Sequence, residues 1–277
     1  MSQLSENDLD ILSAAVSRLE HPSLAAKLAA VVGMPVEKLL GWLPDSIQIQ
    51  IDHLTEEALA HALRAARKTM NEETNKGPRN LTHKVAVTLS GVTGGLFGAP
   101  ALFAELPVTT VIILRSIADI ARSKGENLSD PAVQLACLEV FALGSDSQQD
   151  AADVASIGAQ REQSYIRSSY FVSRAAMAQQ VTAAAEILTK GTAASGGSAL
   201  TRLISKIASR FGVSVSEKVA AQAIPVVGAI GGGLINALFM DHFQNTAEAH
   251  FSVRQLERVY GTEVVRLEYE RLASTAV

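Results

Sequence analysis

The chain is short of cysteine and of charge, and each shortage closes off a class of protein. One cysteine in 277 residues, Cys137, cannot form an internal disulfide, and no Cys pair has metal-ligand spacing. Within "QLACLEVFAL" that thiol is expected to be a buried small hydrophobe in a reducing, cytoplasmic compartment. Charged residues are 19% of the chain, against about 25% in ordinary soluble domains, and the formal net charge is −4. No overall basic field exists to hold nucleic acid, so no nucleic-acid partner is expected. The N-terminal "MSQLSENDLD" has neither the basic nor the apolar region of a secretory signal. Catalytic motifs are missing too: no Gly-x-Ser-x-Gly elbow, no phosphate loop, and no strand leading into a Gly-rich dinucleotide turn. No cofactor is implied, and no motif argues for an enzyme.

What is present is helical periodicity, sustained by the Ala, Leu, Ile and Val that lift apolar content to 48%. Ser5, with Asp8 three residues on, reads as an N-cap. Pro22 opens a second helix that Gly33 should end, and a long amphipathic helix is expected from Ile47 to Thr69. The only strand-like alternation, "SIQIQI" at 46–51, is flanked by helical pattern. Gly125 should stop a helix, Asp130-Pro131 should start the next, and Gly144 should close it. A long helix is expected from about Ala152 to Lys190, followed by a flexible "GTAASGGSA". The fold class is all-α, a multi-helix bundle. The polar stretch at 70–80, with Gly77-Pro78, is the candidate boundary between an N-terminal helical region (1–80) and a helical core (81–277).

Two uncharged runs interrupt the ordinary pattern, 20 residues between Lys84 and Glu105 and 22 between Lys218 and Asp241. Each is long enough to cross a bilayer of about 30 Å. Yet each carries small-xxx-small spacing, Gly91 with Gly95, Gly94 with Gly98 and Gly228 with Gly232, which lets helix backbones approach closely in water as in lipid. So many glycines also weaken a helix. Buried hairpins broken at glycine, rather than membrane spans, are the reading preferred, with "GVTGGLFGAPALFAELP" bending at Gly94-Gly95 and restarting at Pro100.

Downstream, "VTTVIILRSIADIARSKG" carries a polar stripe. At about 100° per residue Glu105, Thr109, Ser116 and Asp119 share a face, and Arg115 at its edge can reach Asp119. Carboxylates on an apolar helix are costly unless paired or hydrogen-bonded. The stripe is therefore either a polar cavity wall or a helix–helix hydrogen-bond network, with Asn236, Asp241 and Asn245 as natural partners. In "SALTRLISKIASRF", Arg202, Lys206 and Arg210 form a basic stripe opposite an apolar one, as in a helix lying on an anionic membrane surface or packed in a bundle. Arg161, Arg167 and Arg174, with Tyr165 and Tyr170, suggest a second basic-aromatic helix. His53, Glu57 and His61 share a helix face, but their charged neighbours mark an ordinary solvated surface rather than a metal site.

Residues 94–144, from "GGLFGAPALFAELP" to "CLEVFALG", then "REQSYIRSSYFVSRA" and "IPVVGAIGGGLINALFMDHFQNTAEAHFSVRQLERVYG" (224–261), resemble the EcsC protein family over about residues 35–273. The resemblance implies an all-helical cytoplasmic protein working near membranes; the family's founding member is encoded beside the subunits of an ABC transporter. It supplies no catalytic residues. Glu105, Arg115, Asp119 and Asn236 fall in the family-like segments and, with Thr109, are the candidate ligand contacts. The expected function is binding of a lipid or other apolar molecule without catalysis. Alternatives are a hydrolase with Glu105 and Asp119 as acid–base pair, and a scaffold docking on a membrane transporter through the helix around Arg202.

Overall fold

The computed structural model describes residues 4–20, 24–69, 99–145, 168–190, 197–223 and 225–275. They form ten helices: α1 (Glu6–Glu20), α2 (Leu24–Val32), α3 (Val36–Leu40), α4 (Asp45–Thr69), α5 (Ala99–Ser123), α6 (Pro131–Leu143), α7 (Ser169–Lys190), α8 (Gly197–Gln222), α9 (Pro225–Tyr260) and α10 (Thr262–Thr275). Among the described residues there is no strand, and "SIQIQI" is the first turn and a half of α4.

Local chemistry sets most ends. Asp8 N–H donates to Ser5 Oγ at 3.2 Å and the Ser5 hydroxyl donates back to Asp8 Oδ2 at 2.6 Å, a reciprocal cap. Asp130 Oδ1 accepts from the Ala132 N–H at 2.8 Å, with Pro131 in the first turn of α6. Gly33 (φ +79°) and Gly125 (φ +83°) end α2 and α5 in the left-handed region, where an L side chain is strained. Gly144 closes α6 for another reason. Its φ is −84°, but an added Cβ would lie 2.9 Å from Phe243 Cε1.

The two central helices are α8 and α9. α8 touches α2, α3, α4, α6, α7 and α9, while α9 carries α1, α5 and α10 on its other sides. α4 lies along α5, and α6 along α7. Every side chain from Val133 to Leu143 is buried, Gln134 and Glu139 included, as expected of a helix that is apolar over most of its surface. Phe141, Phe211, Phe239 and Phe243, from α6, α8 and α9, interlock with ring centroids 4.6–6.0 Å apart. Cys137, also on α6, is wholly buried and burial pushes its thiol pKa far up.

Glycines do not break the helix in the second uncharged run. α9 continues helically through Gly228 and Gly231–Gly233; Gly232 and Gly233 are buried, and tertiary packing outweighs a propensity cost of about 1 kcal/mol per glycine. The run is instead shared between two helices, α8 ending at Gln222 and α9 beginning at Pro225. Among the described residues no helix is long and apolar enough to cross a membrane. Gly91, Gly94, Gly95 and Gly98, the candidate boundary at 70–80, and Arg161, Tyr165 and Arg167 lie outside the described residues, as does the first part of the helix expected from Ala152. Helices before and after that boundary share one cluster of buried apolar side chains.

Candidate functional site

Where α5, α8 and α9 meet, a charged cluster sits inside the apolar wall. Lys218 Nζ, from α8, lies 3.0 Å from Glu105 Oε1 of α5, and each side chain is only 5% exposed. The same oxygen accepts from Asn236 Nδ2 of α9 at 2.7 Å and from Thr109 Oγ1 at 3.1 Å. Gln222 Nε2 reaches Asn236 Oδ1 at 3.5 Å. The Lys218 ammonium also stands over the Phe239 ring, 5.1 Å from its centroid. Burial pushes the Lys218 pKa below 10.5, and the attraction and hydrogen bond of Glu105 partly restore it.

One carboxylate oxygen thus takes three donors while the other takes none. Among the described residues, Glu105 Oε2 and Gln222 Oε1 are buried and accept no hydrogen bond. Burying a carboxylate oxygen unpaired is costly, so the two acceptors call for a donor, supplied by a buried water or by a bound molecule.

Of the stripe read on α5, Glu105 and Thr109 enter this cluster, and Asn236 meets them from α9. The remainder stands elsewhere along the helix. Ser116 accepts from Gln244 Nε2 at 2.7 Å, and Asp119 pairs with Arg122 at 3.2 Å, the i+3 cation, while Arg115 is exposed. Asp241 accepts from Asn245 at 2.9 Å and faces Lys27 at 3.8 Å. The acid–base pairing of Glu105 with Asp119 is excluded by geometry. Fourteen residues of unbroken helix separate them, about 21 Å at 1.5 Å per residue, and partners in proton transfer must reach the same bond.

The basic stripe on α8 is also not what a membrane-surface helix requires. Arg202 is exposed, Lys206 is half-buried and donates to the Ala176 carbonyl at 3.1 Å, and Arg210 is 1% exposed and donates to Ser173 Oγ at 2.7 Å. Spacing of i, i+4, i+8 places three cations on one face; it does not say which face meets water, and this face meets α7. His53 and Glu57 are exposed and 3.8 Å apart, and among the described residues no three His, Cys, Asp or Glu side chains converge on a metal position.

Sequence reasoning missed Lys218 and Gln222. Lys218 bounds the second uncharged run, and the signal that could have found it was that Glu105 bounds the first. Also missed was a second buried polar cluster between α6, α7 and α9. Tyr170 OH, which accepts from Arg174 Nη1 at 3.3 Å, lies 2.9 Å from His250 Nδ1. Arg174 grips Glu257 with two bonds, 2.8 and 3.1 Å. Glu139 is buried nearby, its pKa raised by burial against the pull of Arg174 and Arg254, and burial holds His250 well below 6.5 and therefore neutral.

The chain matches no curated protein and no solved structure. The sequence profile of the EcsC protein family matches residues 6–256, beginning with α1 and so taking in the N-terminal helices that the motif-based resemblance left out. With more than half of its length matched from the first helix into the ninth, the chain belongs to the EcsC protein family.

Proposed function

We propose that this EcsC-family chain binds a lipid or another molecule with an apolar chain, without chemistry on it, and that the cluster where α5, α8 and α9 meet takes the polar end of that ligand. Glu105, Thr109 and Asn236, joined by Lys218 and Gln222, are the contacts; Arg115 and Asp119, farther along α5, would meet only a ligand extending beyond the cluster. The observation that carries the reading is the pair of buried acceptors, Glu105 Oε2 and Gln222 Oε1, with no donor among the described residues, in a cluster whose Lys218 ammonium stands over the Phe239 ring. A chain-bearing ligand satisfies both halves of such a site, since pockets of this kind combine an apolar lining with a few placed polar groups. Native mass spectrometry of protein purified without detergent, with organic extraction of what it carries, tests this. A stoichiometric lipid or acyl species that disappears in a folded Glu105→Gln variant is expected. A ligand-free mass that persists after incubation with lipid extract overturns it.

A peripheral position at a membrane or beside a membrane transporter is the second part of the reading. It is favoured by Trp42, 69% exposed, and Ile49, 70% exposed, at the corner joining α3 to α4. Indole side chains concentrate at the boundary of lipid and water. Trp42→Ser should lower flotation with lipid vesicles several-fold, and undiminished flotation removes this corner as a contact.

A further inference from the structure

We infer that the polar end of the ligand at the Glu105 cluster is an uncharged hydrogen-bond donor, a hydroxyl of the kind carried by a monoacylglycerol or a fatty alcohol, and not a carboxylate, a phosphate or an ammonium. This inference rests on the ligand-binding reading above and specifies its chemistry. Orientation in the cluster passes from residue to residue. Glu105 Oε1 requires the Asn236 amide to present its NH2, at 2.7 Å. That turns Asn236 Oδ1 towards Gln222, which presents its own NH2 at 3.5 Å. Gln222 Oε1 is thereby directed away from both. The two atoms left over, Glu105 Oε2 and Gln222 Oε1, are thus acceptors by necessity. What completes the site must donate.

Charge narrows the donor further. Glu105 and Lys218 already cancel across 3.0 Å. An added carboxylate or phosphate would face the unshielded oxygen of Glu105, and an added ammonium would share the buried volume with the Lys218 ammonium. Neither has a spare counter-charge among the five residues of the cluster. A buried charge without a partner is strongly disfavoured, whereas a hydroxyl brings a donor and no charge. A site built to receive a donor also discriminates sharply against analogues lacking one, because its own buried groups are then left unpaired.

The test uses the full chain and four probes of one chain length: monodecanoylglycerol, decanoate, decyl phosphate and decylammonium, titrated by calorimetry below their micellar concentrations. The glycerol ester is expected to bind at least about tenfold more tightly than any charged probe. In Gln222→Met and Glu105→Gln, each first checked for a native melting transition, the preference should shrink to about threefold or less; Gln222→Met carries the test if Glu105→Gln does not fold. Binding of all four probes with similar affinity overturns the assignment while leaving the lipid-binding reading standing. Tighter binding of a charged probe overturns it equally. Binding of none of them, with no lipid recovered from the purified protein, removes the lipid-binding reading and this inference together.

Discussion

Lys218→Met removes the cation 3.0 Å from Glu105 while keeping the length and most of the volume of the side chain, so little cavity is created over Phe239. In the native protein, opposite charges at that distance attract by about 5.5 kcal/mol at an effective dielectric of about 20, most of it offset by taking both ions out of water. The variant keeps the desolvated carboxylate and loses the attraction. Deleting one partner of a buried pair costs about 3–5 kcal/mol. Asn236 and Thr109 still donate to Glu105, which places the expectation near the lower end, about 3 kcal/mol, against a total stability of about 5–15 kcal/mol. Equilibrium urea unfolding followed by far-ultraviolet circular dichroism reads this as a lower midpoint at unchanged slope. Adding Glu105→Gln removes the stranded charge, so the double variant should recover about 1–2 kcal/mol. The pH dependence supplies a second readout. Because the folded pKa of Lys218 lies below 10.5, the native state binds fewer protons than the unfolded state just below that pH. Wild-type stability therefore gains a rising contribution as pH climbs from the folded pKa towards 10.5, and the variant lacks it. A loss under about 1 kcal/mol, or a double variant less stable than Lys218→Met, would refute the reasoning that this pair is buried and mutually dependent.

Gly144→Ala places a methyl 2.9 Å from Phe243 and 3.1 Å from His242 Nε2, and a loss of about 1–3 kcal/mol is expected from overpacking; a neutral result in thermal melts would mean that the ring yields freely. Glu20, at the end of α1, accepts from Ser168 Oγ (2.7 Å), the Ser169 N–H (3.0 Å) and hydroxyl (2.9 Å), and Tyr269 OH (2.9 Å), holding the first turn of α7. Glu20→Gln should cost about 2 kcal/mol and speed hydrogen exchange at Ser169 to Phe171, and unchanged exchange there would show that the turn holds itself. His242 donates from Nε2 to the Gly144 carbonyl, and burial lowers its pKa from 6.5 to about 4. The unfolded state therefore takes up the proton first, so stability falls as pH drops from about 6.5 towards 4, by about 3 kcal/mol at the conversion of 1.36 kcal/mol per unit. His242→Gln should flatten that part of the pH profile relative to wild type, and an unchanged slope would place the titration elsewhere.

Helix ends and helix faces are local properties, and they were legible. Ser5, Asp130-Pro131, Gly33 and Gly125 act within one turn of where they stand, so their residue types suffice to place them. The polar stripe on α5 was legible for the same reason, because 100° per residue is a property of the helix itself. The sequence could not say how that stripe would be shared out. Glu105 and Thr109 went to Lys218 and Asn236, Ser116 went to Gln244, and Asp119 turned to Arg122, and each partner was chosen by the height at which α9 and α8 cross α5. The same limit governs the basic stripe on α8. Periodicity grouped Arg202, Lys206 and Arg210 together; contact with α7 buried Arg210 and left Arg202 outside. Glycine was the opposite case. Its intrinsic preference argued for a break somewhere in the second uncharged run, and α9 runs through Gly228 and Gly231–Gly233 as one helix. The sequence by itself determined an all-α chain, its helix termini and the EcsC-like pattern, because these follow from neighbours within a few residues. Only the tertiary structure decided which charges are buried and with whom. Glu105 and Lys218 are 113 residues apart, and the free energy that makes them a pair arises only when two helices remove both from water together.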